Sequence, residues 1–460
     1  MLEFIKSADA PPRASRPVAA RGYTTHRIVV VGGGAGGLEL ATRLGDHFSK
    51  TRSAHVVLVD RVATHLWKPL LHEVAAGSMD TSANQLEYAA QARWHHFEFQ
   101  QGALIGLDRT RKAITVAALR DEDGLEILPQ REIPYDTLVL AIGSVTNFFN
   151  TPGAAEHAMA VDTVSQAEHF RRRLIAVCMR TQNQLGTMHG ECHPRVHVAI
   201  VGGGATGVEL SAELRNTAQV LGAYGLHDLD PKRDIRITIL EAGPRILPPL
   251  PEYAAQETTR TLERLNVGIL TGERVTEVRE HAVLTASGVV VPADLTVWAA
   301  GIQVSKVLAD FGLPVNRLGQ VQVTPTLQTE IDPDIFAFGD CASCPWPENG
   351  TTVPPRAQAA HQQAKHLYRA LQHRLAGKPL PRFDYQDFGS LVSLGGFNAI
   401  GSLVDKATGK PLLVEGTLAR LIYASLYRAH VMALHGLSRT ILDTLAHWLR
   451  RGTTPRVKLH

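Results

Sequence analysis

Residues 27–40 read RIVVVGGGAGGLEL, and residues 196–210 read VHVAIVGGGATGVEL. Each stretch begins with a short run of β-branched residues, which leads into a G-x-G-x-x-G turn and then into apolar residues at helical spacing. In such a turn the first glycine permits the tight bend, the second lets the backbone approach a pyrophosphate, and the third lets the helix pack on the strand. The helix N-terminus then offers free N–H groups to phosphate oxygens. Because the whole pattern occurs twice, the sequence predicts two dinucleotide-binding sites.

An acidic residue that ends the next strand can bind the hydroxyl pair of a ribose. The strand 55–59 leads to Asp60, and the strand 235–240 leads to Glu241. An ordinary solvated carboxylate at a strand end is the alternative for both. A carboxylate at position 241 would also repel a 2′-phosphate, and Arg245 is the only cation close behind it in the sequence. The second site is therefore predicted to favour NADH over NADPH.

The composition is that of a globular protein large enough for two or three domains. The chain has 460 residues, of which 44% are hydrophobic and 20% are charged. Its formal net charge of +3, without a basic stripe among aromatic residues, argues against a nucleic-acid partner. No run reaches the roughly 18 apolar residues that a membrane-spanning helix needs. Residues 1–25 are rich in Pro, Ala and Arg and are predicted to be a disordered extension.

Residues 135–144, 294–301 and 335–341 each read as a buried strand that runs into a turn of small residues. This order resembles the two-dinucleotide flavoprotein reductase superfamily from about residue 26 to residue 390. The resemblance implies an α/β fold with two Rossmann-like domains, one for FAD and one for NADH. The implied FAD-binding domain is discontinuous and covers 26–155 and 322–395, and the NADH-binding domain, 156–321, is inserted within it.

The same resemblance implies a set of cofactor-binding residues. The FAD residues are Gly32, Gly34, Gly36, Gly37, Asp60, Arg61, Lys68, Ala103, Gly143, Gly339 and Asp340. The NADH residues are Gly202, Gly204, Gly207, Glu241 and Gly301.

Residues 354–363 read PPRAQAAHQQ, and this A-Q-x-x-x-Q pattern resembles the quinone-site helix of the type II, non-proton-pumping NADH:quinone oxidoreductases. Further segments that resemble the bacterial members of this family are 65–77, 151–153, 387–394, 425–430 and 456–460. The resemblance implies an enzyme of the respiratory chain that oxidises NADH through FAD and reduces a quinone such as ubiquinone.

Within that resemblance, quinone contacts are implied for Gln358, Gln362 and Tyr423, and catalytic roles for Gln358 and Glu209. Glu209 would assist proton handling during quinone reduction. Glu39 occupies the same offset after the first turn, so a structural or ribose-positioning role for Glu209 stays open. No metal site is predicted.

Residues 396–460 are predicted to be an amphipathic helical segment that docks on a membrane. Two stretches place apolar or small residues on one side, with basic residues around them. These residues are Leu418, Leu421, Ile422, Ser425 and Ala429 in the first stretch, and Leu437, Ile441, Leu442, Leu445, Trp448 and Leu449 in the second. The alternative is that these helices pack on the protein's own core or on a dimer partner. The family resemblance favours peripheral docking on the cytoplasmic face of the bacterial inner membrane, and we expect a homodimer.

Three other functions are compatible with parts of the sequence. A soluble NAD(P)H-dependent disulfide reductase would use the pair Cys341 and Cys344, but this pair directly follows the Gly-Asp strand, and redox pairs of such enzymes lie in other segments. A sulfide:quinone oxidoreductase does not need the intact second glycine motif. An NADH-sensing flavoprotein would bind the nucleotide without quinone turnover. The other two cysteines are Cys178 and Cys192, and four cysteines in so long a chain do not indicate a disulfide framework.

Overall fold

The computed structural model describes residues 25–187, 195–223, 229–404 and 411–450. The predicted extension 1–25 (apart from Thr25), Cys192 and the segment 456–460 lie outside these residues. The helices are α1 Ala35–Thr51, α2 Leu71–Ala76, α3 Thr81–Asn84, α4 Tyr88–Trp94, α5 Ala154–His157, α6 Val164–Thr187, α7 Ala205–Ala223, α8 Glu252–Arg264, α9 Val307–Asp310, α10 Ala357–Leu375 and α11 Gly416–Arg450.

The first glycine motif lies in a five-stranded parallel sheet. In spatial order its strands are Ile335–Ala337, Thr137–Leu140, His26–Val31, Ala54–Asp60 and Glu98–Gln101. The strands with continuous apolar sequence are buried on both faces, as expected for a parallel sheet that is covered by helices. The chain crosses from the central strand to its neighbours on both sides, so the strand ends open on a crevice at that point.

The second glycine motif lies in a separate parallel sheet of the same design. Its strands, in spatial order, are Ala158–Met159, Leu295–Trp298, Val196–Val201, Ile235–Glu241 and Val267–Thr271. Each of the two sheets lies within its own buried apolar cluster, the first around Ile28 and Phe336 and the second around Ile200 and Ile237. The α/β fold with two Rossmann-like units is therefore confirmed.

Smaller antiparallel sheets flank these units. The three-stranded ones consist of Leu104–Asp108, Ala113–Val116 and Arg131–Pro134, of Val275–Arg279, Ala282–Thr285 and Val290–Pro292, and of Gly389–Ser393, Ala399–Val404 and Pro411–Glu415. Two-stranded antiparallel sheets pair Thr64–His65 with Leu86–Glu87, Leu119–Arg120 with Glu126–Leu128, Val145–Thr146 with Ile302–Gln303, and Pro345–Trp346 with Thr351–Thr352. A two-stranded parallel sheet pairs Val321–Gln322 with Ala342–Ser343. Single turns of 3₁₀ helix are Lys68–Leu70, Gly339–Cys341 and Pro347–Asn349.

The C-terminal part begins with the sheet 389–415, which the sequence analysis did not predict. The predicted boundary at residue 396 falls inside that sheet. The following helix α11 is interrupted at Gly436, which has φ +75° and ψ 171°, so it consists of two helical pieces, as the two apolar stretches predicted. Within the described residues no helix is long and apolar enough to cross a membrane.

The predicted apolar faces of α11 are largely exposed. The exposed apolar side chains of this helix are Leu418, Leu421, Leu426, Met432, Leu437, Ile441, Leu442, Leu445 and Leu449. Among the α11 residues whose burial is described, only a few, including Ala419, His430 and Leu434, are buried against the rest of the chain. Most of the apolar surface of α11 therefore does not pack on the protein's own core.

Candidate functional site

The first glycine-rich turn leads from the central strand of the first sheet into α1. Gly32 has φ +103°, and a Cβ at this position would overlap the carbonyl oxygen of Ala141. A Cβ at Gly37 would overlap the carbonyl oxygen of Gly32, so helix and strand are in direct contact. A Cβ at Gly34, by contrast, would meet no atom within 4 Å. This open space in front of the helix N-terminus fits an anionic group such as a pyrophosphate.

Asp60 supports this turn from the end of the neighbouring strand. Its Oδ2 accepts a hydrogen bond from Gly33 N–H at 2.6 Å, and its Oδ1 accepts one from Val62 N–H at 3.0 Å. Burial raises the pKa of Asp60 above its ordinary value. Because a carboxylate has about four acceptor positions, Asp60 can support the turn and still accept hydrogen bonds from a ribose. Arg61 and Ala103, which were also predicted to bind FAD, are exposed.

The second turn repeats the arrangement at the start of α7. Glu241 Oε2 accepts a hydrogen bond from Gly203 N–H at 2.7 Å, and Oε1 accepts one from Gly243 N–H at 2.7 Å. A Cβ at Gly204 would again meet no atom within 4 Å. Three further predicted residues complete this edge. Gly202 and Gly207 are in direct contact, as Gly32 and Gly37 are in the first turn. Gly301 lies against the ring of Phe149.

Arg245 follows Glu241 and is the cation that could have compensated a 2′-phosphate. Its Nη1 donates a hydrogen bond to the carbonyl oxygen of Leu247 at 3.1 Å, and its Nη2 donates one to that of Pro248 at 2.8 Å. The guanidinium is thus already engaged by the backbone. This geometry agrees with the prediction that the second site prefers NADH to NADPH, because recognition of a 2′-phosphate commonly uses a free arginine.

Several polar groups meet beyond the strand ends of the first sheet. Lys68 Nζ donates a hydrogen bond to the carbonyl oxygen of Ser144 at 2.9 Å and lies 3.4 Å from Asp162 Oδ1. Ser144 Oγ donates to Asp340 Oδ2 at 2.8 Å, and Gln320 Nε2 donates to the Asp340 carbonyl at 3.0 Å. These bonds orient Asp340 and leave its Oδ1 without a partner among the described residues, so this oxygen can accept a hydrogen bond from a cofactor hydroxyl.

The remaining glycines predicted for FAD have different surroundings. A Cβ at Gly143 would meet no atom within 4 Å, so the backbone there is open to a ligand. Gly339 N–H donates a hydrogen bond to Oε1 of the buried Gln363 at 2.8 Å. A Cβ at Gly36 would lie 2.5 Å from the ring of Phe338, which indicates that this glycine serves packing.

Both strand edges therefore fit a dinucleotide. Each offers open space at a glycine turn, the N-terminus of a long helix and a strand-end carboxylate with spare acceptor positions. Within the described part of the chain, no group of three or more His, Cys, Asp or Glu residues could hold a metal ion.

Gln358 and Gln362 lie about one turn apart in α10, and the side chains of both are bonded to the segment 386–389. Gln362 Nε2 donates a hydrogen bond to the carbonyl oxygen of Gln386 at 2.8 Å, and Gln362 Oε1 accepts one from Gln386 N–H at 3.0 Å. Gln362 thus pairs with the backbone as a neighbouring strand would. This role was not predicted from the sequence.

The amide of Gln358 is fully engaged as a donor. Its Nε2 donates hydrogen bonds to Asp387 Oδ1 at 3.1 Å and to the Gly389 carbonyl at 3.0 Å, and its Oε1 accepts one from Phe388 N–H at 3.2 Å. Arg356 lies 3.2 Å from Asp387 and competes for the same carboxylate. A quinone carbonyl is an acceptor, so Gln358 could bind it only by giving up one of its two donated bonds.

Glu39 and Glu209 occupy the same offset after the two turns but lie in opposite electrostatic surroundings. The fully buried Glu39 accepts hydrogen bonds from Arg43 Nε at 2.8 Å and from His361 Nδ1 at 2.5 Å. Burial acts to raise the pKa of Glu39, but these two partners lower it overall. Glu209 is also buried, but among the described residues it has no lysine or arginine partner, and its Oε1 accepts a hydrogen bond from Ser393 N–H at 3.1 Å. Burial raises the pKa of Glu209 to about 8.

Tyr423, predicted as a quinone contact, extends from α11 towards Glu209. Burial and the neighbouring Glu209 raise the pKa of Tyr423 well above its ordinary value. Its buried hydroxyl faces the Glu209 carboxyl but makes no hydrogen bond of ordinary length and angle within the part of the chain that the structure describes. The hydroxyl is therefore available to a proton acceptor or a ligand at this point.

A histidine cluster that the sequence analysis did not single out joins α11 to the first turn. His65 Nδ1 is 3.0 Å from the carbonyl oxygen of Gly33 and therefore donates to it, so His65 Nε2 accepts from His430 Nε2 at 2.9 Å. The ring of His361 lies 5.1 Å from that of His430. Burial lowers the pKa of His65 to about 4. The three histidines come from distant segments, so no local sequence pattern could have identified the cluster.

Cys341 and Cys344 do not form a reactive pair in the structure. Both are buried and unbridged. Burial raises the pKa of Cys341 to about 11 and that of Cys344 to about 12. A redox-active pair needs an accessible thiolate, so the geometry argues against a dithiol function.

The comparisons with known proteins agree with this geometry. The model of the pyridine nucleotide-disulphide oxidoreductase family matches residues 26–364. A type II NADH:quinone oxidoreductase of Haemophilus influenzae is 44% identical over 443 residues, which are 94% of this chain and 99% of that one. Demethylphylloquinone reductase of Synechocystis is 31% identical over 87% of this chain and 92% of that one. The structure of NDH2 from Plasmodium falciparum in complex with NADH covers 95% of this chain and 100% of that one, with a TM-score of 0.78 and 19% identity, and shows the likeness of fold.

The two nucleotide-binding units and the family match together define a flavoprotein oxidoreductase of the pyridine nucleotide-disulphide class. Within this class the chain belongs to the family of type II NADH:quinone oxidoreductases.

Proposed function

We propose that this protein oxidises NADH through bound FAD and passes two electrons to a membrane quinone without pumping protons. The observation that carries the proposal is the presence of two complete nucleotide-binding edges in a chain that aligns over almost its whole length with a type II NADH:quinone oxidoreductase. The first unit, 26–155 with 322–395, would hold FAD, and the unit 156–321 would hold NADH.

In this proposal the chain's own residues bind and orient the reactants. Asp60 and Asp340 hold the ribose and ribityl hydroxyls of FAD, and Glu241 holds a ribose of NADH. FAD, when bound, supplies the acceptor for the hydride of NADH. Gln358 and Tyr423 would contact the quinone headgroup, and Glu209 would supply a proton.

Peripheral docking on the cytoplasmic face of a bacterial inner membrane is also a proposal. It is supported by the exposed apolar side chains of α11, which exceed what a solvated helix normally presents. A partner subunit could cover the same face, and we propose a homodimer that leaves at least the second helical piece, after Gly436, on the lipid surface.

The first experiment measures NADH oxidation by the FAD-loaded full chain with and without a short-chain ubiquinone. The variant Gln358→Leu removes the amide that faces segment 386–389, and Gln372→Leu, on the same helix but away from that segment, is the matched control. We expect strong quinone stimulation in the native chain and the control, and at least about a tenfold loss in Gln358→Leu. Bleaching of the flavin by NADH should persist in all three proteins.

Two outcomes would contradict the proposal. Flavin bleaching without any quinone stimulation in the native chain would favour an NADH-sensing flavoprotein. Acidification of reconstituted vesicles during NADH oxidation, with no other respiratory enzyme present, would contradict the absence of proton pumping. Full activity of Gln358→Leu would remove Gln358 from the quinone site but leave the reaction itself unchallenged.

A further inference from the structure

Three carboxyl groups converge between α2 and α7, and the reaction proposed above assigns a role to only one of them. Glu209 and Glu213 lie one turn apart on the same face of α7, and both are buried. Glu73 lies on α2, which packs against this face. Thr217 Oγ1 fixes the two helices together by donating a hydrogen bond to the carbonyl oxygen of Ala76 at 2.8 Å.

No lysine or arginine of the described residues acts on the pKa of Glu73 or Glu209. Among the described residues the only group within ion-pair distance of these carboxyls is His72, whose Nδ1 is 3.6 Å from Glu209 Oε2. Burial lowers the pKa of His72 to about 4, so this ring is neutral at physiological pH. Arg215 of α7 donates to backbone carbonyls instead. Isolated buried carboxylates are costly, so protons must neutralise part of this cluster.

The electrostatics of the individual acids agree with that conclusion. Burial, together with the neighbouring Glu213, raises the pKa of Glu73 to about 8. Burial likewise raises the pKa of Glu209 to about 8, and Glu73 adds to this effect. Two adjacent acids that titrate close to neutral pH can accept, hold and release protons under physiological conditions.

A second, independent feature marks the point at which a proton can leave the cluster. Besides burial, the carboxyls of Glu209, Glu73 and Glu213 all act to raise the pKa of Tyr423, so its hydroxyl faces all three. That buried hydroxyl lies beside the Glu209 carboxyl. It is a neutral donor on α11 that faces the acids, on the side where the quinone is proposed to bind.

The reaction itself requires one proton from outside the reactants. NADH, one proton and quinone give NAD⁺ and quinol: the hydride of NADH carries two electrons and one proton, whereas the quinol gains two electrons and two protons. We propose that Glu73 is a proton-relay residue that resupplies Glu209, and that Glu209 and the Tyr423 hydroxyl deliver this proton to the reduced quinone. No electrons pass through the cluster, and each step moves a single proton from one oxygen to the next.

Solvent can reach the other end of the cluster beside Glu213. A Cβ at Gly395 would lie 2.5 Å from Glu213 Oε2, so the carboxyl directly contacts this turn. The next two residues of the turn, Gly396 and Phe397, are exposed. Glu73 itself is partly exposed, so solvent can exchange protons with Glu73 directly as well as through Glu213. The proposed transfer then runs inward from Glu73 to Glu209 and Tyr423.

The test compares Glu73→Gln, which keeps the shape but cannot give up a proton, with Glu73→Asp and with Glu252→Gln, an exposed control on α8. The FAD-loaded full chain is assayed with NADH and a short-chain ubiquinone from about pH 6 to about pH 9. Glu73→Gln should lower quinone turnover by at least about tenfold at pH 8 and move the alkaline limb of the pH profile to lower pH. Flavin bleaching by NADH should stay within about twofold of the native rate, and Glu73→Asp should recover part of the loss.

Infrared difference spectra recorded during a pH titration give a readout that does not depend on quinone turnover. The native chain should show the C=O stretch of protonated carboxylic acids that disappears near pH 8, and Glu73→Gln should lose part of this signal. Absence of such a band in the native chain, or an unchanged pH profile in Glu73→Gln, would overturn the relay while leaving the oxidoreductase intact. The relay rests on the proposed function. If the native chain fails to reduce quinone but shows the carboxylic-acid C=O band, the proposed function is wrong. The acids would then hold protons without delivering them to a quinone, which also overturns the relay.

Discussion

Replacement of the two equivalent glutamates by glutamine should affect stability in different ways. Glu39→Gln leaves Arg43 and His361 without the carboxylate that pairs with both. Loss of one partner of a fully buried pair costs about 3–5 kcal/mol. The side chains of Arg43 and His361 are 33% and 20% exposed, so solvent compensates part of this cost, and we expect a loss of about 2 kcal/mol at pH 7. Glu209→Gln replaces an acid that is already protonated in the folded chain, so it should not destabilise the protein at pH 7. Only the native chain gains free energy by ionising this acid on unfolding, so the variant should be the more stable of the two by up to about 3 kcal/mol.

The pH dependence separates the two residues further. Glu39 has a folded pKa below its ordinary value of 4.5, so its stabilising contribution is complete above that pH and is lost as the pH falls through the folded pKa. Glu209 has a folded pKa of about 8, above its ordinary value of 4.5. The folded chain then holds a proton that the unfolded chain releases between these values, and stability falls by up to about 1.4 kcal/mol per pH unit. Glu209→Gln cannot lose this proton, so its stability relative to the native chain should rise from about pH 5 to about pH 8.

The assay is urea unfolding of the FAD-loaded full chain with excess FAD, followed by tryptophan and flavin fluorescence at about pH 5, 7 and 8. Glu252→Gln serves as the exposed control. Equal losses for Glu39→Gln and Glu209→Gln at pH 7 would refute the electrostatic distinction between the two motifs. A stability of Glu209→Gln that did not change relative to the native chain with pH would refute the assignment of a protonated Glu209.

Three shorter predictions concern the other parts of the site. Glu241→Ala should raise the KM for NADH at least about tenfold in steady-state kinetics, because both carboxylate oxygens hold the turn and one is expected to hold the ribose; an unchanged KM would contradict its role. The double variant Cys341→Ser with Cys344→Ser should keep quinone turnover within about twofold of the native rate, and its inactivity would restore the dithiol hypothesis. Ile441→Ser with Leu445→Ser removes two exposed apolar side chains, each worth about 1.5–3 kcal/mol on burial, and should weaken flotation with vesicles of bacterial lipid; unchanged flotation would place the membrane contact elsewhere.

The positions of the two nucleotide-binding edges could be predicted from the sequence because each depends on local rules. The glycine turns need a specific backbone path, and the carboxylates Asp60 and Glu241 follow their strands directly. The antiparallel sheet 389–415 could not be predicted in the same way. Its three strands contain glycine and polar residues. The runs of alternating apolar residues in them are too short to distinguish a strand from a loop.

The different surroundings of Glu39 and Glu209 could be predicted only in part from their motifs. Arg43 lies four positions after Glu39, whereas Glu213 lies four positions after Glu209, and this difference is visible in the sequence. The other partner of Glu39, His361, lies more than 300 positions away, so only the fold shows that pairing. The hydrogen bonds of Gln358 and Gln362 to segment 386–389 also depend on tertiary packing. A family pattern identified these glutamines, but it gave no indication that their donors are already in use.

The strand that follows segment 386–389 connects two parts of the site that would otherwise be analysed separately. Gln362 holds Gln386 just before this strand, Gln358 holds the first residue of the strand, Gly389, and a few positions later Ser393 N–H donates a hydrogen bond to Glu209. A substitution at either glutamine can therefore displace the amide that stabilises one oxygen of Glu209 and so alter the titration of that acid. Loss of quinone turnover in a glutamine variant has two possible causes, a missing contact to the substrate or a changed proton supply. Only a full pH profile of the variant distinguishes them, because a missing contact lowers the rate at every pH, whereas a changed proton supply moves the limb of the curve.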